Sequence, residues 1–146
     1  TKMLKCIYFI FTNTKGEIIM NKLRQSGEDY LETIYILSKC GDVRSIDIAT
    51  EMNVSKPSVC RAVGILKENG FINVDSNGYI TLTEYGNTTA KNVYERHTVL
   101  TDWLVGIGVN EKTAEEDACR LEHNFSSESF EKLKNHINPC HKKQDK

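Results

Sequence analysis

Residues 54–70 read VSKPSVCRAVGILKENG, and this stretch decides the fold. Ser55 is a good helix cap, Pro57 suits a first helical turn, and Gly70 is a typical helix end. Between them, apolar residues recur at the spacing of one helical face, at Val59, Ala62, Val63 and Leu66. The stretch therefore predicts a helix with one buried face and a small, hydroxylated leading end.

The segments on either side of this helix complete an order of elements. Upstream, the sequence predicts a first helix that opens with a capping box at Ser26 and Asp29, followed by a short helix over residues 45–54. Downstream, the apolar segments FINV and YITL flank Asn77-Gly78, which is the signal of a β-hairpin. Helix, short helix, helix and hairpin is the order of a winged helix-turn-helix, so residues 20–82 are predicted to bind double-stranded DNA.

The leading end of the 54–70 helix has the chemistry that a DNA-reading helix needs. From Val54 to Lys67 it carries three basic residues and no acidic one, although the whole chain has a net charge of −1. Small hydroxylated side chains can approach bases or phosphates, and an arginine can fork onto a guanine or a phosphate. The predicted DNA contacts, the last of them on the hairpin, are Ser55, Lys56, Pro57, Ser58, Arg61 and Asn77. Two alternatives stay open: a winged helix that docks only protein, and a purely conformational role for Asn77.

Residues 83–137 predict a second, helical domain. A long helix runs from about Thr83 to Gly106, and Asn110 is a suitable cap for the helix that follows. A last helix is predicted to begin after a cap at Ser126 or Ser127. The fold class is therefore mainly α with a small β-hairpin, in which a winged helix-turn-helix precedes a helical domain.

The stretch EEDACRLEH, residues 115–123, points to metal chemistry. Offsets of three and four residues return to nearly the same side of a helix, so Cys119, Glu122 and His123 are predicted to share one face. Three further donors lie elsewhere, two of them spaced i and i+3 on the first helix. The full predicted ligand set is Asp29, Glu32, His97, Cys119, Glu122 and His123. Such a set can hold one divalent metal, or two that share carboxylates.

Each of these residues also has a structural explanation. Asp29 can be the acidic member of a capping box, and His97 can be a core histidine bonded to a backbone carbonyl. Glu32 can be a solvated helix residue, and Glu122 can pair with a lysine. Cys119 can be a small buried apolar residue, and His123 can cap a helix end. The metal prediction therefore depends on the set of six and not on any single member.

Several motifs together resemble the diphtheria-toxin-repressor and manganese-transport-regulator family. They are SGEDYLETIYIL (26–37), VSKPSVCRAVGILKENG (54–70), YITLTEYG (79–86), VYERHTVL (93–100) and EEDACRLEH (115–123). The resemblance covers residues 25–137 and implies a cytosolic, homodimeric, metal-activated repressor that binds a palindromic operator. It also implies the short form of the family, without an SH3-like third domain, with metal bound between the first helix and the dimerisation helices.

The resemblance leaves the metal open between two branches of the family. Five of the six predicted ligands match the manganese branch, whereas that branch has a glutamate where this chain has Cys119. The iron-responsive branch has a cysteine there, but it has a methionine where this chain has Asp29. Carboxylates suit Mn²⁺ and a thiolate suits Fe²⁺ or later ions. The sequence favours Mn²⁺ over Fe²⁺, with one or two ions per protomer.

Composition restricts the remaining function classes. A charged fraction of 27% and an apolar fraction of 39% are typical of a globular protein, and the apolar run at residues 4–12 is too short to span a membrane. Five cysteines without a CxxC pair argue against a disulfide framework and for a reducing cytoplasm. The chain lacks HExxH and a phosphate-binding glycine loop, so it is predicted not to be an enzyme. The alternatives are a redox-sensing winged-helix repressor that uses Cys60 or Cys119, and a helical metalloenzyme.

The two ends of the chain are predicted to stand outside the domains. KGEIIM (residues 15–20) back-translates to AAAGGAGAAATAATAATG, a ribosome-binding sequence followed by a start codon. Met20 is therefore predicted to be the initiator and residues 1–19 an upstream misread, the alternative being a real extension that adds a strand or arm. Residues 138–146 are predicted to form a frayed tail.

Overall fold

The computed structural model describes residues 15–137, and for residues 15–24 it describes only the backbone. In chain order the elements are α1 (Lys15–Ser38), α2 (Ser45–Glu51), α3 (Lys56–Glu68), β1 (Ile72–Val74), β2 (Ile80–Leu82), α4 (Glu84–Gly106), α5 (Glu111–Leu121) and α6 (Ser127–Ile137). This mainly helical fold with one hairpin confirms the predicted fold class. The predicted tail and the first fourteen residues of the predicted extension lie outside the described residues. Within residues 15–137, no helix has the length and apolarity that crossing a membrane requires.

The chain divides into two compact units between Asn87 and Thr88, a point that lies inside α4. In the first unit, α1 packs on α2, α3 and β2, while α3 also contacts β1. Strands β1 and β2 are antiparallel, and Val43 adds a bridge to Ile80, whose N–H donates to the Val43 carbonyl at 2.8 Å. The core of this unit includes the buried side chains Leu31, Ile34, Ile48, Val59, Leu66, Ile72 and Ile80. These contacts build the predicted winged helix-turn-helix.

Helix α1 begins earlier than the sequence predicted. The capping box placed the first residue near Ser26, but α1 begins at Lys15, so Ser26 lies inside the helix and is exposed. The segment between them, GEIIMNKLRQ, consists largely of good helix formers, which extend the helix upstream of the polar residues that imitate a cap. Residues 15–19 thus belong to α1.

Asp75 organises the turn of the hairpin. Its Oδ1 accepts the N–H groups of Asn77 at 2.9 Å and Tyr79 at 2.8 Å. Gly78 has a φ of 81°, a conformation that favours glycine. The predicted hairpin is confirmed, and the Asn77-Gly78 pair lies inside a five-residue loop that Asp75 closes.

The start of α4 is tightly bound to the segment that follows α3. The Thr83 hydroxyl lies 2.8 Å from the Gly70 carbonyl oxygen and 3.1 Å from that of Phe71, and it accepts the Gly86 N–H at 3.0 Å. The ring of Tyr85 stacks on that of Phe71, with centroids 4.7 Å apart. A Cβ at position 86 would lie 1.9 Å from the Phe71 carbonyl oxygen, so this contact requires glycine.

The second unit contains the rest of α4 with α5 and α6. Asn110 caps α5 by accepting the Lys112 N–H at 3.1 Å, and Ser126 caps α6 by accepting the Ser129 N–H at 3.1 Å, as predicted. Its buried apolar side chains include Ala90, Val93, Leu100, Leu104, Ala114, Ala118 and Phe130. Among the charged side chains of residues 25–137, Glu122 alone is buried.

Candidate metal centre and nucleic-acid interface

The carboxylate of Glu122 lies between two imidazoles in the second unit. The residue is 1% exposed, its Oε2 lies 2.9 Å from Nδ1 of His97, and its Oε1 lies 3.2 Å from Nε2 of His123. A carboxylate with two imidazoles is a ligand set that first-row divalent metals accept. The Cys119 Sγ also lies within 4.8 Å of a Glu122 carboxylate oxygen, so the second unit brings four of the six predicted ligands together.

The electrostatics of Glu122 fit a site for a cation. Burial acts to raise the pKa of Glu122, but the contacts with His123 and His97 outweigh burial and lower that pKa below its usual value, so the group is a carboxylate at neutral pH. Although His123 lies close to Oε1, the two atoms are not aligned for a hydrogen bond, and this buried oxygen has no hydrogen-bond partner within the described chain. A buried oxygen left without a donor is unfavourable, and a metal ion would satisfy it.

The end of α5 sets the directions of these ligands. Helix α5 ends at Leu121, with Glu122 as its cap, and the Leu121 carbonyl accepts the Asn124 N–H at 2.9 Å as the chain turns. His123 thus lies beyond the helix, and Cys119 is exposed whereas Glu122 is buried. Glu122 nevertheless keeps helical backbone angles and donates its N–H to a carbonyl in the last turn of α5, so it stays on the face that carries Cys119. The Cys119 Sγ lies within 4.8 Å of a Glu122 carboxylate oxygen, and His123 Nε2 lies 3.2 Å from Oε1 of the same carboxylate, so the three donor groups come together as predicted.

The two predicted ligands on α1 belong to the first unit. Asp29 and Glu32 are half-buried and three residues apart, so they share one face of α1. The backbone carbonyl of Asp29 accepts the hydroxyl of Thr33 at 2.9 Å. Their part in metal binding stays a prediction, as does that of Cys119.

The leading end of α3 is exposed in the first unit and carries no acidic residue in its first turn. Ser55 caps the helix, accepting the Ser58 N–H at 3.4 Å, and the two hydroxyls lie 2.8 Å apart. The predicted contacts Ser55, Lys56, Pro57, Ser58 and Arg61 are all exposed, as is Asn77 on the hairpin. An uncovered helix N-terminus with lysine, arginine and hydroxyl groups attracts phosphate.

A groove beside α3 includes residues that sequence reasoning missed. It is lined by Ser26, Tyr30, Pro57, Ser58, Arg61, Ala62 and Ile65. Ser26 was interpreted only as a helix cap, and the packing of α1 against α3 places it and the buried Tyr30 beside the reading helix. Arg44 was also missed; its guanidinium lies 4.3 Å from the centroid of the Tyr79 ring, on the hairpin.

The sequence matches two family models that describe these two functions. Residues 22–85 match the iron-dependent repressor N-terminal DNA-binding domain, and residues 83–145 match the iron-dependent repressor metal-binding and dimerisation domain. The chain belongs to the iron-dependent repressor family. It is therefore a metal-dependent, DNA-binding transcriptional repressor, which confirms the resemblance and the function predicted from the sequence. The regulators of this family are not enzymes.

Relatives agree with this assignment. The chain is 37% identical over 115 residues to a helix-turn-helix transcriptional regulator of Methanocaldococcus jannaschii, covering 77% of this chain and 92% of the relative. It is 33% identical over 109 residues to the transcriptional regulator MntR of Lysinibacillus sphaericus, covering 74% and 78%. The solved structure of the manganese regulator SloR is similar with a TM-score of 0.70 and 30% identity, covering 77% of this chain and 53% of that one. The chain thus spans about half the length of that solved protein.

Proposed function

We propose that this protein is a cytoplasmic repressor that Mn²⁺ or Fe²⁺ activates and that controls genes for metal-ion uptake. Residues 20–82 form its DNA-binding domain, and residues 83–137 bind metal and form the homodimer. The observation that carries the proposal is the buried Glu122 carboxylate, held between His97 and His123 with one oxygen that lacks a hydrogen-bond partner within residues 25–137.

Three further side chains complete the proposed ligand set. Asp29 and Glu32 supply hard carboxylate oxygens from α1, and Cys119 supplies a thiolate from α5. The three carboxylates suit Mn²⁺, while the thiolate suits Fe²⁺, Co²⁺ or Zn²⁺, so the set favours Mn²⁺ over Fe²⁺. One or two ions per protomer are compatible with six donors.

The proposed mechanism couples metal binding to DNA binding. Without metal, the negative charges of Asp29, Glu32 and Glu122 disfavour an arrangement that clusters them. These three acids, with the imidazoles of His97 and His123, would hold the metal, which would supply the positive charge that offsets their repulsion. In the homodimer this arrangement fixes the two α3 helices at the spacing of the two half-sites of a palindromic operator. Metal binding therefore raises the affinity for DNA, and DNA binding raises the affinity for metal by the same factor.

Anaerobic fluorescence anisotropy tests the proposed function. The full chain is titrated onto DNA from upstream of its own gene at fixed salt, with Mn²⁺, Fe²⁺ or Zn²⁺ added and then removed by a chelator. We expect tight binding only with metal, and metal-indifferent binding would contradict the proposal.

Because Cys60 is exposed on α3, an oxidant is added in a parallel series. If oxidation abolishes DNA binding by the parent but not by Cys60→Ser, the redox-sensing alternative would be favoured.

Replacing Cys119 by glutamate is expected to shift the metal preference toward Mn²⁺. A fourth carboxylate ligand replaces the thiolate, so the ratio of Mn²⁺ to Fe²⁺ affinity should rise by about tenfold, the lower end of what changes around a metal site cause. Competition between the two ions under anaerobic conditions measures this ratio. Cys40→Ser, at another exposed cysteine, is the matched control and should leave the ratio unchanged. An unchanged ratio in Cys119→Glu would remove Cys119 from the ligand set.

Replacing Arg61 by alanine is expected to weaken operator binding in the presence of metal. A contact to a guanine or a phosphate is worth about 1–3 kcal/mol, so the dissociation constant should rise by about 5- to 150-fold. Anisotropy on operator and on unrelated DNA, at several salt concentrations, separates base reading from a phosphate contact. Lys132→Ala on α6, also an exposed basic residue, serves as the control. An unchanged dissociation constant in Arg61→Ala would place this residue outside the DNA interface.

A further inference from the structure

Arg96 holds the turn that follows α5. Its Nη1 donates to the carbonyl oxygens of Phe125 at 2.9 Å and of Glu122 at 3.2 Å, and its Nη2 donates to the Ser127 hydroxyl at 3.2 Å. One side chain of α4 therefore joins the end of α5, the turn and the start of α6.

These bonds satisfy acceptors in the turn that follows α5, which ends at Leu121. Backbone carbonyl groups outside regular helices and strands need donors from elsewhere in the protein or from water. Arg96 supplies charged donors, which form stronger hydrogen bonds than neutral ones. The planar guanidinium also lies over the buried ring of Phe130, 5.3 Å from its centroid, which restricts its position further. The backbone at Glu122 is thus held by Arg96, whose own position is restricted by the ring of Phe130.

Arg96 and His97 are neighbours on α4, and both contact Glu122. His97 contacts the carboxylate, at 2.9 Å, and Arg96 contacts the backbone carbonyl, at 3.2 Å. Glu122 is therefore held at its side chain and at its backbone by two consecutive residues of one helix. A change at either contact alters where the carboxylate lies.

We propose that Arg96 is a positioning residue of the metal centre. It fixes the backbone of Glu122 and of the adjacent His123, so that carboxylate and imidazole present their atoms to one ion. The inference rests on the proposed function, because it takes both residues as metal ligands. Metal sites tolerate displacements of only about 0.5 Å in their ligands, so a turn without this support binds metal more weakly and with altered geometry.

The spectrum of bound Co²⁺ separates positioning from mere stabilisation. The visible absorption of Co²⁺ depends on the number and arrangement of its ligands, and a loss of stability alone does not shift its bands. The full chain and its Arg96→Gln variant are titrated anaerobically with Co²⁺ and with Mn²⁺. We expect Arg96→Gln to shift the Co²⁺ bands and to weaken Mn²⁺ binding by about 10- to 100-fold, as loss of a group that orients ligands does.

Two further variants make the test complete. Arg96→Lys keeps a positive donor that can reach one carbonyl, so it should recover part of the Mn²⁺ affinity. Arg120→Gln, at an exposed arginine of α5 that is 3.4 Å from Asp117, is the matched control and should leave spectrum and affinity unchanged. If Arg96→Gln does not fold, Arg96→Lys carries the test by the same shift in the Co²⁺ bands.

The possible outcomes distinguish the inference from the proposed function. If the parent binds neither Co²⁺ nor Mn²⁺, the proposed metal centre is wrong. It is also wrong if the His97→Ala variant binds each ion as tightly as the parent does. If the parent binds through His97 but the Arg96 variants match it in band position and Mn²⁺ affinity, only the positioning role is overturned. Lower thermal stability with an unchanged spectrum would likewise assign Arg96 a purely structural role.

Discussion

Glu122→Gln is expected to abolish metal-dependent operator binding while the protein still folds. Glutamine keeps the volume of the side chain and its capacity for hydrogen bonds, but it removes the negative charge and a strong ligand atom from the space between His97 and His123. Mn²⁺ binding should weaken by at least about 100-fold, since loss of groups that only orient ligands already costs 10- to 100-fold. Operator affinity in the presence of Mn²⁺ should then fall to that of the metal-free parent.

The measurement pairs Mn²⁺ equilibrium dialysis with operator anisotropy, and circular dichroism checks that the helices form. Glu116→Gln, also a glutamate of this helical region but exposed, is the matched control and should behave as the parent does. A Glu122→Gln protein that binds Mn²⁺ and operator like the parent would exclude Glu122 as a ligand. The buried carboxylate would then be a structural pair of the two histidines.

Several elements of both units could be predicted because their signals are local. Ser55 caps α3 by accepting an N–H three residues further along the chain, and Asn110 caps α5 by accepting one two residues further along. The hairpin turn is also closed within five residues, although the side chain that closes it is Asp75 and not the Asn77 that drew attention in the sequence. Where the residues that determine a helix or hairpin lie within that helix or hairpin, hydrophobic pattern and residue preference are sufficient to predict it.

The start of α1 and the support of the metal centre depend on more distant causes. The false cap at Ser26 has the right residue types for a helix start, but continuous helix formers upstream decide where α1 begins. His97 and Glu122 are 25 residues apart, and Arg96 reaches acceptors up to 31 residues away. The six ligands could be proposed from their chemistry as a set and from a family resemblance. Arg96 has no such signal, because its partners are mainly backbone carbonyls, which every residue has.

Gly86→Ala is expected to destabilise the protein by about 3 kcal/mol, at the upper end of the usual cost of overpacking. The added methyl would lie 1.9 Å from the Phe71 carbonyl oxygen and 2.8 Å from its carbonyl carbon, distances at which the backbone must move. That carbonyl also accepts the Thr83 N–H at 3.0 Å, and the Thr83 hydroxyl lies 3.1 Å from it. Moving it therefore weakens hydrogen bonds worth about 1 kcal/mol each as well as the contact itself.

Urea unfolding of the full chain, followed by circular dichroism without metal and at one protein concentration, measures this effect. Holding metal and concentration fixed removes the contributions of ligand binding and of dimerisation to the apparent free energy of unfolding. Gly64→Ala is the matched control, because it lies in the interior of α3 and an added methyl there meets nothing within 4 Å. That substitution should stabilise the protein by about 0.5–1 kcal/mol through the helix preference of alanine.

The sign of the difference between the two variants tests the close contact itself. Both replace a helical glycine by alanine, so helix propensity favours both, and only the Phe71 carbonyl distinguishes Gly86. If Gly86→Ala were as stable as Gly64→Ala, the start of α4 would not pack against Phe71 as described. If it is destabilised as expected, the first turn of α4 is fixed to the segment between α3 and β1.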